Sequence, residues 1–186
     1  MIIGLTGAAM SGKDTVGAYL NKAHGFAPTA FADPIRAMLI AGLDLEPYHF
    51  RPENKESVIS QLNCSPRRLM QTLGTDWGRH MIADGLWTDI MARRLRAAAH
   101  VGEDVVITDV RFLSEAGLVK RLGGEVWRVI RPGAATTEHS AHQSEIEQSA
   151  ITVDRGLVNN GTLEQLYEQI DAALGFVFEI AGETTL

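Results

Sequence analysis

The sequence predicts an α/β protein in which a parallel sheet of five strands carries helices on both faces. Short β-branched and apolar runs alternate with longer segments of helical periodicity, which is the pattern of parallel strands joined by helical crossovers. A glycine-rich turn separates the first such run from the first helical segment, as in open α/β sheets. The length of 186 residues suits one domain with a substantial core and is short for two.

The five strands are predicted where short β-branched or apolar runs meet turn-forming residues. They are residues 2–6, 28–32, 105–110, 125–130 and 156–159.

The helices are predicted from apolar periodicity and from capping residues. The Asp-Pro pair at 33–34 and the Ser-Pro pair at 65–66 each supply an N-cap followed by a proline at the first helical position. The pairs 144/147 and 162/165 have the spacing of a capping box. The predicted helices are 14–23, 34–43, one from 66, 87–99, 113–122, a short one from 144, and 163–174.

Three segments do not fit this pattern. Residues 44–64 are polar and contain two prolines, so a loop or irregular insertion is expected. Residues 132–143 lack periodicity and are predicted to form a mobile lid. The tail 175–186 is apolar at 176–180, which favours either an edge strand or a homodimer interface.

Composition excludes several classes of function. Asp and Glu number 23 against 17 Lys and Arg, and no basic block is present, so no nucleic-acid partner is expected. No apolar run approaches the roughly 18 residues of a membrane helix, and the N-terminus lacks the basic region of a signal peptide. The single cysteine, Cys64, allows no intramolecular disulfide. A cytoplasmic protein is therefore predicted.

The turn at residues 7–13, GAAMSGK, fits the phosphate-binding motif G-x-x-x-x-G-K and has a predicted strand before it and a helix after it. Glycine lets the backbone curl so that its N–H groups point at phosphate oxygens, and the helix N-terminus adds positive potential. Lys13 would bridge the β- and γ-phosphates of ATP. The residues predicted to bind ATP here are Gly7, Ala8, Met10, Ser11, Gly12, Lys13, Asp14 and Thr15.

Two carboxylates are candidate Mg²⁺ ligands. Asp14 stands where the motif usually has Ser or Thr, and it either binds the metal or only favours the helix N-terminus. Asp109 lies at the carboxyl end of the third predicted strand, where it either holds the metal or its waters, or is a turn residue. Arg111 follows and could reach the same phosphates.

Acceptor-binding residues are predicted on the helix that begins near 66. Arg68, Gln71 (or Thr72), Thr75 and Arg79 recur at spacings of three or four and form a polar stripe. Since 13 of the 17 basic residues are arginine, a guanidinium fork is available for phosphate, although a solvated face would have the same pattern.

Five further residues are candidates for the site. Asp33 and Arg36 follow the second predicted strand and could contact the acceptor, although Asp33 could equally be a plain N-cap. Trp87 either stacks on a base or, as we favour, packs in the core. Arg128 and Arg131 precede the predicted lid and could bring positive charge to ATP and to the transferring phosphoryl group.

The chain resembles the deoxynucleoside monophosphate kinases of bacteriophages and some bacteria, within the P-loop kinase group. The matching motifs are ordered and span nearly the whole chain, and the combination of LGT..GR with DVRF..EA is the most specific part of the resemblance. The motifs are GLTGAAMSGKDT from residue 4, FADPIR from 31, LMQTLGTDWGR from 69, VVITDVRFLSEA from 105, GGEVWRVIRP from 123, HQSE from 142 and NNGTLEQLYEQID from 159.

The resemblance implies a three-layer P-loop kinase fold in one domain over 1–186, with an acceptor region at about 33–100. It implies transfer of the ATP γ-phosphate, with Mg²⁺, to a deoxynucleoside 5′-monophosphate. On this basis the expected catalytic residues are Lys13, Arg111 and Arg131. The expected acceptor-site residues are Asp33, Arg36, Arg68, Gln71, Thr75, Arg79, Trp87, Asp109 and Arg111.

Two other functions compete with this one. A kinase of the same fold could act on a phosphomevalonate-like, shikimate-like or dephospho-coenzyme acceptor, and an alcohol acceptor would make Asp33 a general base. A nucleotide-dependent switch would hydrolyse ATP slowly and would need no acceptor stripe.

Overall fold

The computed structural model describes residues 1–133 and 143–175. The body of the predicted lid and the predicted edge strand or dimer interface of the tail lie outside the described residues, as does the side chain of Ser144 in the predicted capping box. No helix in the described part of the chain is long and apolar enough to cross a membrane.

Strands and helices alternate through most of the chain. The strands are β1 (Ile2–Thr6), β2 (Ala27–Thr29), β3 (Val105–Ile107), β4 (Glu125–Ile130) and β5 (Arg155–Val158). The α-helices are α1 (Lys13–His24), α2 (Asp33–Leu43), α3 (Pro66–Gln71), α4 (Leu86–His100), α5 (Leu113–Arg121), α6 (Gln143–Ala150) and α7 (Leu163–Leu174). A 3₁₀-helix, Pro47–Phe50, lies in the predicted loop, and a π-helix, Thr72–Ile82, continues α3.

The five strands form one parallel sheet in the order β2-β3-β1-β4-β5, which confirms the predicted fold class. The first strand in sequence is therefore the central one, with β3 and β4 on its two sides. Their carboxyl ends meet at one edge, where the loop after β1 and Asp109 lie.

Each face of the sheet has its own apolar core. Ile3 and Leu5 of β1 and Trp127 of β4 pack with α1 and α7 on one face. Val105 and Val126 pack with α2, α4 and α5 on the other. The alternation of side chains along each strand separates the two sets, so helices cover both faces as predicted.

Two of the predicted helix caps are confirmed and one is wrong. Ser65 Oγ accepts a hydrogen bond from the Arg68 backbone N–H (3.3 Å), and Thr162 and Gln165 form the predicted capping box. Asp33, however, is the first residue of α2 and not its N-cap. Its carboxylate turns back and accepts a hydrogen bond from the Ala30 backbone N–H (2.7 Å), so it stabilises the turn before the helix.

Both glycines of the π-helix Thr72–Ile82 make close contacts with Trp87. At its end the Ala83 N–H donates to the Gly78 carbonyl (3.0 Å), five residues back, as this wide helix requires. The Trp87 indole N–H donates to the carbonyl of Gly74 (2.6 Å). A Cβ on Gly78 would lie 2.4 Å from the Trp87 ring. The indole can approach the helix this closely because Gly78 has no side chain.

Gly78→Ala is expected to destabilise the fold by about 1–3 kcal/mol because the added methyl group overpacks the buried Trp87 ring. Gly42→Ala is the matched control. Gly42 also lies in a helix, and an added Cβ there meets no atom within 4 Å. It should stabilise by roughly 0.5–1 kcal/mol through helix propensity. Urea unfolding of both variants measures the difference, and equal stability of the two would contradict this account of Gly78.

Candidate active site

A cavity of about 330 Å³ opens at the carboxyl edge of the sheet. Its walls come from the β1–α1 loop, the turn after β2, the segment around residues 50–55, α3 with the π-helix, and the link from β3 to α5. Its volume lies in the range of small-molecule sites. Both cations and carboxylates line it: Lys13, Arg36, Lys55, Arg67, Arg79 and Arg111, with Asp14, Asp109 and Glu115.

The phosphate-binding loop has the predicted curled backbone. Gly7 and Gly12 have φ angles of 139° and 107°, and Met10 between them has φ of 60°. A Cβ on Gly7 would lie 2.3 Å from the Val129 carbonyl oxygen, so only glycine fits against β4. The loop ends at Gly12, directly before the N-terminus of α1. This geometry is that of an anion-binding loop.

Asn159 supports this loop from the end of β5. Its side-chain amide donates to the Ser11 carbonyl (2.9 Å), and its backbone N–H donates to the Ile130 carbonyl (2.7 Å). A Cβ on Gly12 would lie 2.4 Å from the Asn159 side-chain nitrogen. Sequence analysis did not assign Asn159 to the site, because its contact with the loop joins residues 148 positions apart.

Lys13 lies in the cavity wall with its ammonium group held by the loop itself. Nζ donates to the carbonyls of Gly7 and Ala8, both at 2.7 Å. Burial, and then the positive charge of Arg111, lower the pKa of Lys13 to about 8. Its present acceptors are neutral, so a phosphate oxygen would be a stronger partner for the ammonium group.

The two predicted metal ligands both line the cavity. Asp14 is exposed in the first turn of α1. Asp109 accepts hydrogen bonds from the backbone N–H groups of Phe31 (2.7 Å) and Ala32 (3.0 Å), while burial raises its pKa. Within residues 1–133 and 143–175, no cluster of three His, Cys, Asp or Glu side chains forms a closed metal site. Two carboxylates at an open cavity fit Mg²⁺, which usually keeps several waters or phosphate oxygens.

The predicted acceptor stripe is displaced by one residue at its first position. Gln71, Thr75 and Arg79 line the cavity as predicted, but Arg68 is exposed and does not. Arg67 lines it instead. The prediction assumed an α-helix throughout, whereas the wider turn of the π-helix brings residues four apart closer to alignment. The observed stripe is therefore 67, 71, 75 and 79.

Arg79 is buried at one end of this stripe and is paired with Glu115. Its Nη2 donates to Glu115 Oε1 (2.6 Å), and its guanidinium carbon lies 3.8 Å from the centre of the Phe112 ring. Glu115 also accepts from the Arg111 backbone N–H (2.8 Å). Burial, followed by the nearby charge of Asp109, raises the pKa of Glu115 to about 7. Glu115 was not predicted, although its position three residues after Phe112 is that of a helix-capping glutamate.

Two of the other predicted acceptor residues, Arg36 and Trp87, line the cavity, and Asp33 does not. Arg36 lines it and is paired with Asp33 at 2.5 Å. Asp33 is not a lining residue and occupies the neighbouring depression between α2 and the 3₁₀-helix. Trp87 contributes to the wall but is only 2% exposed. Its packing against Gly78 agrees with the favoured prediction, and base stacking stays a prediction.

The three remaining arginines differ in position. Arg111 lines the cavity, and its guanidinium has no hydrogen bond or ion pair with the described residues. Arg131 is exposed directly after β4, outside the cavity lining. Arg128 is predicted to bind ATP, but it does not line the cavity. Its guanidinium donates to the carbonyls of Gln148 (3.1 Å) and Ile151 (2.7 Å) at the end of α6. Along β4 its side chain shares a face with Val126, under α6.

The chain is similar in sequence to proteins of one family. A family model described as deoxynucleotide monophosphate kinase matches residues 47–170. A protein of Acanthamoeba polyphaga mimivirus that bears the same family name is 36% identical over 183 residues, covering 91% of this chain and 94% of that protein. The deoxynucleotide monophosphate kinase of Escherichia phage RB69 is 31% identical over 140 residues, 71% of this chain and 53% of the phage protein. The chain thus spans about half the length of this phage relative.

Solved structures confirm the fold. The chain is similar to shikimate kinase from Aquifex aeolicus, with a TM-score of 0.53 and 13% identity over 94% of this chain and 96% of that one. It is also similar to dephospho-CoA kinase from Campylobacter jejuni, with a TM-score of 0.52 and 12% identity over 94% and 95%. These structures show a shared P-loop kinase fold and carry no argument about the acceptor. The family model and the mimivirus relative show that this chain belongs to the deoxynucleotide monophosphate kinase family.

Proposed function

We propose that this chain transfers the γ-phosphoryl group of ATP to the 5′-phosphate of a deoxynucleoside monophosphate, giving the diphosphate and ADP. The observation that carries the proposal is one cavity that joins a phosphate-binding loop to a polar stripe with an arginine at each end, Arg67 on α3 and Arg79 on the π-helix. The bond between the γ-phosphorus and the β,γ-bridging oxygen of ATP breaks. A new bond forms between that phosphorus and an oxygen of the acceptor phosphate.

The phosphate-binding loop would hold the ATP phosphates through its backbone N–H groups and the N-terminus of α1. Lys13 would leave its two carbonyl acceptors and follow the charge that builds up on the β- and γ-phosphates. The Arg111 guanidinium, which has no hydrogen bond or ion pair in the described part of the chain, would neutralise charge at the transferring group. Arg131 would join it when the segment after β4 closes.

Asp14 and Asp109 would hold Mg²⁺, directly or through water. When bound, Mg²⁺ would supply positive charge that reduces the charge repulsion opposing phosphoryl transfer. Asp109 also fixes the turn after β2 through its two backbone hydrogen bonds, so this carboxylate links the proposed metal site to the acceptor side.

The acceptor would occupy the other side of the cavity. Arg67 and Arg79 would bind or position its phosphate, and Gln71 and Thr75 would contact the sugar or base. An acceptor phosphate already carries the attacking oxyanion, so the step needs no general base, and positioning and charge neutralisation dominate. The Asp33 carboxylate, which an alcohol acceptor would require as a base, is already bonded to Arg36 and the Ala30 N–H.

The proposal places the whole reaction in one domain over 1–186, with the acceptor region at about 33–100 and a lid at 132–143. A cytoplasmic location, the absence of nucleic-acid and membrane partners, and a homodimer built through the tail remain predictions alongside it.

The test is a coupled ADP-release assay with ATP and Mg²⁺ against a panel of deoxynucleoside and ribonucleoside monophosphates, with shikimate and dephospho-coenzyme A as unrelated acceptors. ADP release that depends on one or more deoxynucleoside monophosphates is expected. ADP release without any acceptor would indicate a hydrolase or switch. ADP release only with an alcohol acceptor would contradict the proposal and indicate a kinase of another substrate class.

The lowered pKa of Lys13 predicts how kcat/KM for ATP depends on pH. Since the pKa is lowered to about 8, the free protein loses the Lys13 charge as the pH rises through that value. We expect kcat/KM for ATP to fall above about pH 8, whereas kcat at saturating ATP stays level to higher pH because bound phosphates raise the pKa again. Lys13→Arg, which stays protonated, should remove the fall in kcat/KM even if its rate is lower. A flat wild-type kcat/KM profile up to pH 9.5 would contradict this assignment.

A further inference from the structure

Lys55 lies in the segment 44–64, which is predicted as a loop or irregular insertion, and two backbone hydrogen bonds fix its position. The Lys55 N–H donates to the Arg51 carbonyl (3.0 Å), and the Lys55 carbonyl accepts from the Arg67 N–H (2.9 Å). Nearby, Phe50 packs against the core. The segment is thus attached to the first turn of α3, and Lys55 has a defined position beside the acceptor stripe.

Lys55 lines the cavity. It is half-buried and lines the same wall region as Lys13, Asp14 and Arg111. Burial lowers its pKa, and the positive charges of Arg67 and Arg111 lower it further, against the opposing effect of Glu56 and Asp14. Lys55 therefore adds positive charge where the ATP side and the acceptor side of the cavity meet.

Lys55 differs from most cations of the cavity in having no acceptor of its own. The guanidinium groups of Arg67 and Arg79 are held by Glu56 and Glu115. Among the residues that the structure describes, the Lys55 ammonium group makes no hydrogen bond and no ion pair. A partly buried cation without a partner is costly, so this position favours an anionic ligand.

We propose that Lys55 binds the phosphate group of the acceptor nucleotide. The inference rests on the proposed function and adds a residue to its acceptor site. The loop of β1–α1 already supplies backbone N–H groups and Lys13 for the ATP phosphates. Lys55 is instead attached to α3, next to Arg67 on the acceptor stripe. It provides a rotatable point charge beside the fixed guanidinium groups, where the acceptor oxyanion must approach the γ-phosphorus.

The test is calorimetric binding of the full chain with the deoxynucleoside monophosphate that wild type prefers, with the matching deoxynucleoside, and with ATP. Lys55→Gln should raise the Kd of the monophosphate roughly 10- to 100-fold, because one charge-assisted contact to phosphate is lost. The Kd of the deoxynucleoside and of ATP should change by less than about twofold. Lys55→Arg should recover much of the monophosphate affinity.

The control is Lys22→Gln. Lys22 is exposed in the last turn of α1, nine residues beyond Lys13 along the helix, and should leave all three affinities unchanged. An unchanged monophosphate Kd in Lys55→Gln would overturn the inference, as would an equal loss with the deoxynucleoside, which indicates a structural role. A selective loss of ATP affinity would also overturn it. Each of these outcomes contradicts only the role of Lys55, because the wild type would still phosphorylate the acceptor. A wild type that neither binds nor phosphorylates any deoxynucleoside monophosphate would instead contradict the proposed function.

Discussion

Lys13→Ala is expected to lower kcat with the preferred acceptor by on the order of 10²–10³-fold or more. The ammonium group would stabilise charge that develops on the transferring phosphoryl group, and removing one such donor has an effect of this size in other enzymes. The loss should appear mainly in kcat, because the backbone N–H groups of the loop remain and still bind ATP.

The Lys13 variant should fold as well as wild type. Burial lowers the pKa of Lys13, so its charge is not a source of folding stability, and removing it should leave the melting temperature close to that of wild type. Lys22→Ala removes an exposed lysine from the same helix and should keep full activity. A rate for Lys13→Ala within tenfold of wild type would show that Lys13 does not act on the reacting phosphates.

Arg79→Met is expected to lower the free energy of unfolding by about 3–5 kcal/mol. Glu115, only 3% exposed, would lose its charged partner and remain buried, and removing one member of a buried ion pair has a cost of this order. For a chain of this size the melting temperature should fall by roughly 10 °C.

A double variant separates this effect from lost packing. Arg79→Met combined with Glu115→Gln removes both charges and should recover a large part of the stability lost in the single variant. Arg93→Met, at an exposed site on α4, should change the unfolding free energy by no more than about 0.5 kcal/mol. Differential scanning calorimetry gives all three values. A single variant as stable as the Arg93 control would mean that the Arg79–Glu115 pair is not coupled to folding.

Sequence patterns were sufficient wherever the determining interactions are local. The phosphate-binding loop depends on a strand, two glycines and a helix that are adjacent in the chain, and the structure places all of them as predicted. The cap at Ser65 and the box at Thr162 are equally local. The five parallel strands followed from alternation, although β2 and β3 end earlier than predicted because the chain turns there to form the cavity wall.

The positions of Arg67, Lys55 and Glu115 in the site depend on tertiary contacts, which helical periodicity in the sequence does not reveal. The prediction of Arg68 assumes 3.6 residues per turn. Trp87 and Ile35 instead pack against the glycines of a π-helix, whose wider turn aligns Arg67 with the stripe. Lys55 and Glu115 gain their places from partners far along the chain or from an irregular segment. Neither periodicity nor capping could have brought them to the same cavity.

The central position of β1 in the sheet also determines the order in which this protein can fold during synthesis. β1 precedes both of its neighbours, and it stays unpaired until residues 105–107 and then 125–130 have left the ribosome. The support of the phosphate-binding loop comes later still, because Asn159 follows β5. Such distant parallel pairings are slow to form and leave an apolar strand exposed meanwhile. A nascent chain therefore completes the support of the phosphate-binding loop only after Asn159 has been synthesised.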